Sequence, residues 1–186
     1  MQVYSTVYTA ETNVIRFLVK ELVCKDSWIT MDQNTFMRRA IALAEQNVTN
    51  IDGGPFGAVV VYDGRIIGEG TNLVTSSHDP TAHAEVVAIR AACAKIGDFS
   101  LVGTEIYASC EPCPMCLSAI YWARIDRIFF GNTKADAAAI GFDDDHIYRE
   151  IPLPIGERAI PTERILAKEA IAAFRAWETV DNKIEY

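Results

Sequence analysis

The chain lacks any excess of basic residues. Its 186 residues include 17 Lys and Arg against 25 Asp and Glu, which gives a formal net charge of −8 at pH 7. Proteins that bind a phosphate backbone as their main partner rely on clustered positive charge. The composition therefore argues against a nucleic acid partner and favours an acidic surface.

The chain also lacks a hydrophobic run long enough to span a bilayer. The longest apolar stretch near its start, residues 14–23, is short and is interrupted by Arg16, Lys20 and Glu21. The small-residue cleavage site of a secretory signal is missing as well. We therefore expect no membrane partner and a cytoplasmic location, where thiols stay reduced.

Neither Gly nor Pro occurs in residues 1–30. Apolar residues at helical spacing favour a short helix there, and the alternative is an unstructured leader before a functional start at Met31. We interpret residues 1–31 as an N-terminal extension and assign no chemistry to it.

Residues 32–186 show no internal repeat, low-complexity tract or linker, which favours one domain. A two-strand hairpin is followed by alternating strands and helices, and this order predicts an α/β protein with a mixed sheet covered on both faces. The last helix carries an apolar stripe of Leu166, Ala170, Phe174 and Trp177, and we interpret Phe174 and Trp177 as core residues. The predicted helices cover residues 33–48, 82–95, from 112 onward, 135–140 and 164–180, and the predicted strands residues 57–62, 65–70, 104–109 and 127–131.

The cysteines point to a metal site. There are five, an odd number, and three of them crowd into residues 110–116. In a reducing compartment such crowding indicates metal binding or catalysis rather than disulfides. On a first helical turn, Cys113 and Cys116 would present both sulfur atoms on one side. With His83 they form a ligand set that suits Zn²⁺ and leaves a fourth position for water.

The pattern around these ligands is more specific than the ligands alone. Residues 83–85 read His-Ala-Glu and residues 112–116 read Pro-Cys-Pro-Met-Cys. This joint pattern is the signature of zinc nucleobase deaminases, in which the Glu is not a ligand and moves protons. Glu85 takes that position here. The alternative is a closed structural zinc site with Cys110 as fourth ligand, which would leave Glu85 without a purpose.

From about residue 32 to residue 186 the chain resembles the small guanine deaminases of the cytidine-deaminase-like superfamily. The metal motif is common to the whole superfamily, whereas Gly-Phe-Asp-Asp at residues 141–144 and the terminal Tyr186 are closer to guanine deaminases. Residues 1–30 match nothing expected in that family. The matching stretches are residues 53–58, 79–86, 109–116, 120–124, 141–144, 147–148 and 185–186.

The resemblance implies a three-layer α/β/α sandwich, a homodimer, one zinc ion per subunit and conversion of guanine to xanthine and ammonia. It implies that Glu85 passes a proton from the attacking water to the ring and that Asp144 meets the leaving amine. Residues 165–186 would form a C-terminal helix and tail that closes the site of its own subunit or of the partner subunit. The residues implied to contact the base are Asn72, Phe56, Ala84 and Tyr186.

Several alternatives remain open at this point. Residues 143–145 read Asp-Asp-Asp and also suit a solvated acidic turn, and Asn72 also suits a turn at a strand end. The rival functions are a tRNA adenosine deaminase, a deaminase of guanosine or other nucleosides or of cytosine, and a binding module with structural zinc. The tail argues against RNA, because residues 165–186 carry three basic against four acidic side chains.

Overall fold

The computed structural model describes residues 32–142 and 144–185. The predicted extension at residues 1–31 and the predicted base contact Tyr186 lie outside the described residues. Within the two described ranges, no helix combines the length and the hydropathy needed to cross a membrane. The helices are α1 (Gln33–Thr49), α2 (Val74–Ser77), α3 (Ala84–Ile96), α4 (Pro114–Trp122), α5 (Lys134–Ala139), α6 (Asp145–Glu150) and α7 (Ala167–Glu178), and the strands are β1 (Gly57–Tyr62), β2 (Arg65–Thr71), β3 (Thr104–Cys110) and β4 (Arg127–Asn132).

The four strands form one mixed sheet in the order β2-β1-β3-β4. β1 runs antiparallel to both of its neighbours, while β3 and β4 are parallel and are connected through α4. Asp63 and Gly64 join β1 to β2 with φ angles of 48° and 72°. Two consecutive positive φ angles are typical of the tight hairpin turn that Asp-Gly favours. The predicted hairpin and mixed sheet are confirmed.

Helices cover both faces of this sheet. On one face α1 packs its apolar side onto β1 and β3. On the other face α3 packs mainly onto β2 and β1, and α4 adds Ile120 to the same buried cluster. The predicted three-layer α/β/α architecture is therefore confirmed. The buried residues on the α1 side are Phe36, Ala40, Leu43, Val59, Val61 and Tyr107, and those on the other side include Ala58, Val60, Ala84, Ala88, Ile106 and Ile120.

Two glycines of β2 let α3 lie directly on the sheet. A Cβ atom at Gly70 would be 2.2 Å from the carbonyl oxygen of Ala84, the first residue of α3, and Gly68 makes a similar approach further along the helix. Any side chain at these positions would push the helix away. The glycines thereby fix the N-terminus of α3, where His83 and Glu85 lie.

The C-terminal helix α7 is present, yet none of its residues is buried. Phe174 is 72% exposed and Trp177 is 45% exposed. The interpretation of these two residues as core is therefore wrong for the single chain. Helical periodicity indicates that one face of a helix is apolar, but it does not say whether the same chain or another molecule covers that face.

Candidate active site

The three predicted ligand atoms meet where two helices begin. His83 is the N-cap of α3, Cys113 is the N-cap of α4, and Cys116 lies in the first turn of α4. The Nδ1 atom of His83 is 3.6 Å from the Sγ atom of Cys113 and 3.5 Å from that of Cys116. All three atoms lie within 4.8 Å of one another. The positive ends of the two helix dipoles favour thiolates at this point.

The distances among these atoms fit a tetrahedral zinc ion. Zinc–nitrogen and zinc–sulfur bonds of about 2.1 and 2.3 Å at a tetrahedral angle place the nitrogen and sulfur atoms about 3.6 Å apart. The two His83–sulfur distances are 3.6 and 3.5 Å. Three protein ligands leave the fourth position for water, as a catalytic zinc site requires.

The two cysteine ligands differ in the direction of their pKa shifts. A hydrogen bond from the Cys116 thiol lowers the pKa of Cys113 to about 4. The same hydrogen bond, together with burial, raises the pKa of Cys116 above the usual thiol range. Zinc binds both sulfur atoms as thiolates, so binding of the ion requires Cys116 to lose its proton.

Cys110 lies outside this group of ligand atoms. Its buried thiol donates to the carbonyl oxygen of Thr133 at 3.6 Å, and burial raises the pKa of the thiol to about 11. Across the described ranges, the one group of ligand side chains close enough for a metal consists of His83, Cys113 and Cys116. The geometry therefore favours the open three-ligand site over the closed one.

We expect Cys110→Ser to keep one zinc ion per chain and Cys116→Ser to lose it. Serine at position 110 changes a thiol that contacts only protein, whereas serine at position 116 removes a soft ligand that zinc prefers. Metal analysis of the dialysed proteins measures both results. Loss of zinc from the Cys110 variant would show that the fourth ligand is a cysteine after all.

Glu85 faces the ligand group from the first turn of α3. The residue is 7% exposed, and its Oε2 atom accepts a hydrogen bond from the Cys116 thiol at 3.4 Å. Burial is the main cause that raises the pKa of its carboxyl group. A carboxyl group in this place can exchange a proton with a water molecule held at the metal site.

Asp144 immediately precedes α6 and is half-buried. Burial raises the pKa of its carboxyl group, and the negative charge on Cys113 adds to this effect. In turn, the Asp144 charge helps to raise the pKa of His83, so the two groups interact electrostatically. Its side chain forms no capping hydrogen bond with α6.

Asn72 and Phe56 are adjacent in the structure. The backbone N–H of Asn72 donates to the carbonyl oxygen of Phe56 at 3.1 Å. The Asn72 Oδ1 atom accepts from the N–H of Val74 at 3.2 Å, so the residue does make the predicted turn contact, and that contact uses the amide oxygen only. The Phe56 ring packs edge-on against Phe142, with 4.8 Å between ring centroids.

The sequence predicts no role for two further residues near the site. Asn47 is 3% exposed and hydrogen-bonds to the loops that carry Phe56 and Asn72. The Tyr148 hydroxyl donates to the carbonyl oxygen of Pro112 at 3.1 Å, next to a zinc ligand. The contacts of Asn47 with Asn72 and of Tyr148 with Pro112 join segments 25 and 36 residues apart, so no local pattern could have revealed them.

Comparison with known proteins agrees with this geometry. The cytidine and deoxycytidylate deaminase zinc-binding region matches residues 30–132, which is more than half of the chain. The chain belongs to this family. It is a zinc-dependent hydrolytic deaminase with the α/β fold of the family.

Guanine deaminase from Bacillus subtilis is one close relative. It is 53% identical over 156 residues, which cover 84% of this chain and all of the relative. Its X-ray structure has a TM-score of 0.82 at 52% identity and covers 84% of this chain and 99% of that chain.

Two other relatives share less of the chain. The structure of guanine deaminase from Nitrosomonas europaea has a TM-score of 0.59 at 31% identity and covers 69% of this chain and 72% of that chain. The tRNA-specific adenosine deaminase of Haemophilus influenzae is 43% identical over 114 residues, or 58% of this deaminase and 65% of the relative. The similarity to the Bacillus protein is thus both higher and longer.

Proposed function

We propose that this deaminase hydrolyses guanine to xanthine and ammonia. One observation carries the proposal: the similarity to a guanine deaminase spans the whole of that relative at 53% identity. The 156 matched residues exceed the zinc-binding region of residues 30–132, so the similarity includes segments outside the shared metal motif. The match to the tRNA-specific adenosine deaminase is confined to 114 residues.

The proposed reaction exchanges one substituent of the purine ring. A water oxygen forms a bond to the ring carbon that carries the amino group, the carbon–nitrogen bond breaks, and the nitrogen leaves as ammonia. A zinc ion held by His83, Cys113 and Cys116 would lower the pKa of the attacking water to about 7. Glu85 accepts the proton from that water and donates it to the neighbouring ring nitrogen.

Asp144 is the second proton-handling group in this proposal. Its carboxyl group interacts electrostatically with His83 and Cys113 and is not used to cap α6. A carboxyl group with a raised pKa can hold the proton that the departing amine needs. Glu85 then passes one proton of the attacking water to the ring nitrogen. Asp144 passes the other proton to the departing amine as the carbonyl group of xanthine forms.

The base is proposed to bind between the loops next to the zinc ligands. The Nδ2 group of Asn72 offers a donor to the purine edge, and its Oδ1 atom, which already accepts from Val74, has a second lone pair for a purine donor. Phe56 offers an aromatic ring to the base. Ala84, between His83 and Glu85 at the start of α3, is a further residue proposed to contact the base.

A panel of substrates tests the proposed function. We expect purified zinc-loaded protein to deaminate guanine far faster than guanosine, adenine, cytosine or cytidine, and to leave adenosine in a tRNA anticodon stem-loop unchanged. The reason is that the acidic tail of residues 165–186 offers no cluster of cations for phosphate. Ammonia release measures each rate. Faster turnover of guanosine or of the stem-loop would assign the protein to one of the rival functions.

We also propose a homodimer in which residues 165–186 close the active site. The exposed apolar stripe of α7 supports this, because isolated chains rarely leave such a large amphipathic face uncovered. Tyr186 would then contact the base at the end of the tail. The tail closes either the site of its own subunit or that of the partner.

Deletion of residues 183–186 is expected to lower guanine turnover about 100-fold, because an open site holds the base less rigidly and admits bulk water. Zinc content should not change, since all three ligands lie before residue 117. The variant should also remain a dimer. Mixing this variant with Glu85→Gln decides between the two arrangements, because mixed dimers regain activity only when the tail closes the partner's site. Full-length turnover by the deletion variant would contradict the role of the tail.

Residues 32–186 are proposed to form the deaminase domain, with residues 1–31 as an extension. A cytoplasmic location is proposed as well, because Cys113 and Cys116 bind zinc only when reduced and thiols stay reduced there.

A further inference from the structure

We infer that Asn47 is a positioning residue that holds the two base-binding loops in place. The inference rests on the proposed function, in which Phe56 and Asn72 bind the base. Asn47 lies in the last turn of α1 and is 3% exposed. A polar side chain so deeply buried is expected to be fully engaged in hydrogen bonds.

The amide of Asn47 joins two separate segments. Its Nδ2 atom donates to the carbonyl oxygen of Gly54 at 2.8 Å and to that of Asn72 at 2.8 Å. Because both partners are carbonyl oxygens, the nitrogen must face them, and each of its two hydrogen atoms serves one partner. A single nitrogen atom therefore links the loop before β1 to the end of β2.

The two segments also contact each other directly. The N–H of Asn72 donates to the carbonyl oxygen of Phe56 at 3.1 Å. A Cβ atom at Gly53 would lie 2.0 Å from the Asn72 carbonyl oxygen and 3.1 Å from the Asn47 Nδ2 atom, so only glycine allows the segments to come this close. Asn47 thus hydrogen-bonds to Asn72 and to the loop that carries Phe56, the two residues proposed to touch the base.

The chemistry of the residue matches this task closely. Serine has one donor, alanine has none, and aspartate would present a negative oxygen to two carbonyl oxygens. Without the amide, the buried carbonyl oxygen of Asn72 loses this donor, and that of Gly54 keeps only the N–H of Phe56. The loops must then shift to satisfy the Asn72 carbonyl group. Asn47 contacts only the loops that bind the base and none of the zinc ligands in the bonds described above. Its loss should therefore weaken substrate binding rather than the proton transfers.

The test compares full-length zinc-loaded Asn47→Ala with wild type. We expect KM for guanine to rise about tenfold, kcat to stay within about twofold, and zinc content to remain unchanged. Asn47→Ser keeps one donor and should show an intermediate KM. If Asn47→Ala does not fold, the KM of Asn47→Ser alone decides: a raised KM supports the positioning role and a wild-type KM overturns it.

Val61→Ala is the matched control for general loss of stability. Val61 is 3% exposed and lies in the core on the α1 side, at the end of β1 remote from Phe56. We expect it to lower the melting temperature while KM stays at the wild-type value. A wild-type KM in Asn47→Ala, or an equal rise of KM in Val61→Ala, would overturn the inference. If wild type prefers another base, the proposed substrate is wrong, and the same comparison on that base still decides the role of Asn47.

Discussion

Glu85→Gln is expected to lower guanine turnover about 10²–10⁴-fold, the usual contribution of a general acid–base group. Glutamine keeps the shape of the side chain and its place beside Cys116, but it cannot accept a proton from water and pass it to the ring. Zinc content should stay at the wild-type value, because the residue is not among the group of ligand atoms. Ammonia release and metal analysis on the same preparation measure both results.

The control for this variant is Glu45→Gln. Glu45 is an exposed residue of α1, so the same change of charge there should leave turnover unchanged. Near-normal turnover of Glu85→Gln would mean that the metal-activated water needs no protein base. A loss of zinc together with activity would instead make Glu85 a residue that supports the metal site.

Asp144→Asn is expected to lower kcat about 100-fold and to change KM much less. The amide keeps the size of the side chain and its place before α6, but it cannot supply the proton that the departing amine takes. Steady-state kinetics with guanine separates the two parameters. A variant that changes only KM would show that Asp144 binds the base and takes no part in breaking the carbon–nitrogen bond.

Asp145→Asn is a closely matched control for Asp144. It lies next in sequence, and its carboxylate forms a surface ion pair with Arg149 at 2.7 Å. Such exposed pairs contribute little to stability, so this change should leave both kcat and KM near the wild-type values. Equal losses in the two variants would point to the total charge of the acidic segment rather than to one residue.

The parts of this protein that sequence predicts well are those set by local patterns. Asp32 begins α1 by accepting the N–H of Thr35, and Asp63-Gly64 turns the first hairpin. The joint His-Ala-Glu and Pro-Cys-Pro-Met-Cys motif predicted His83, Cys113 and Cys116 as ligands, and all three lie at the starts of two helices. The apolar periodicity of α1 and the alternation of strands and helices determined the three layers.

The features that sequence missed depend on contacts between distant segments. In the sequence, Asn47 is an ordinary polar residue near a helix end. Only the folded structure shows its hydrogen bonds to Gly54 and Asn72. The residues that follow Asp144 show no helical pattern in the sequence, although α6 begins directly after it. The helix α7 shows the reverse case: its apolar periodicity was predicted correctly, but none of its residues is buried in the described part of the chain.

The identity of the product tests the central claim most directly. Purified zinc-loaded protein is incubated with guanine, and xanthine and ammonia are quantified over time beside Glu85→Gln as the blank. The account predicts equal amounts of xanthine and ammonia from wild type and almost none from the variant. Guanine that remains unchanged, or xanthine formed equally fast by Glu85→Gln, would contradict it.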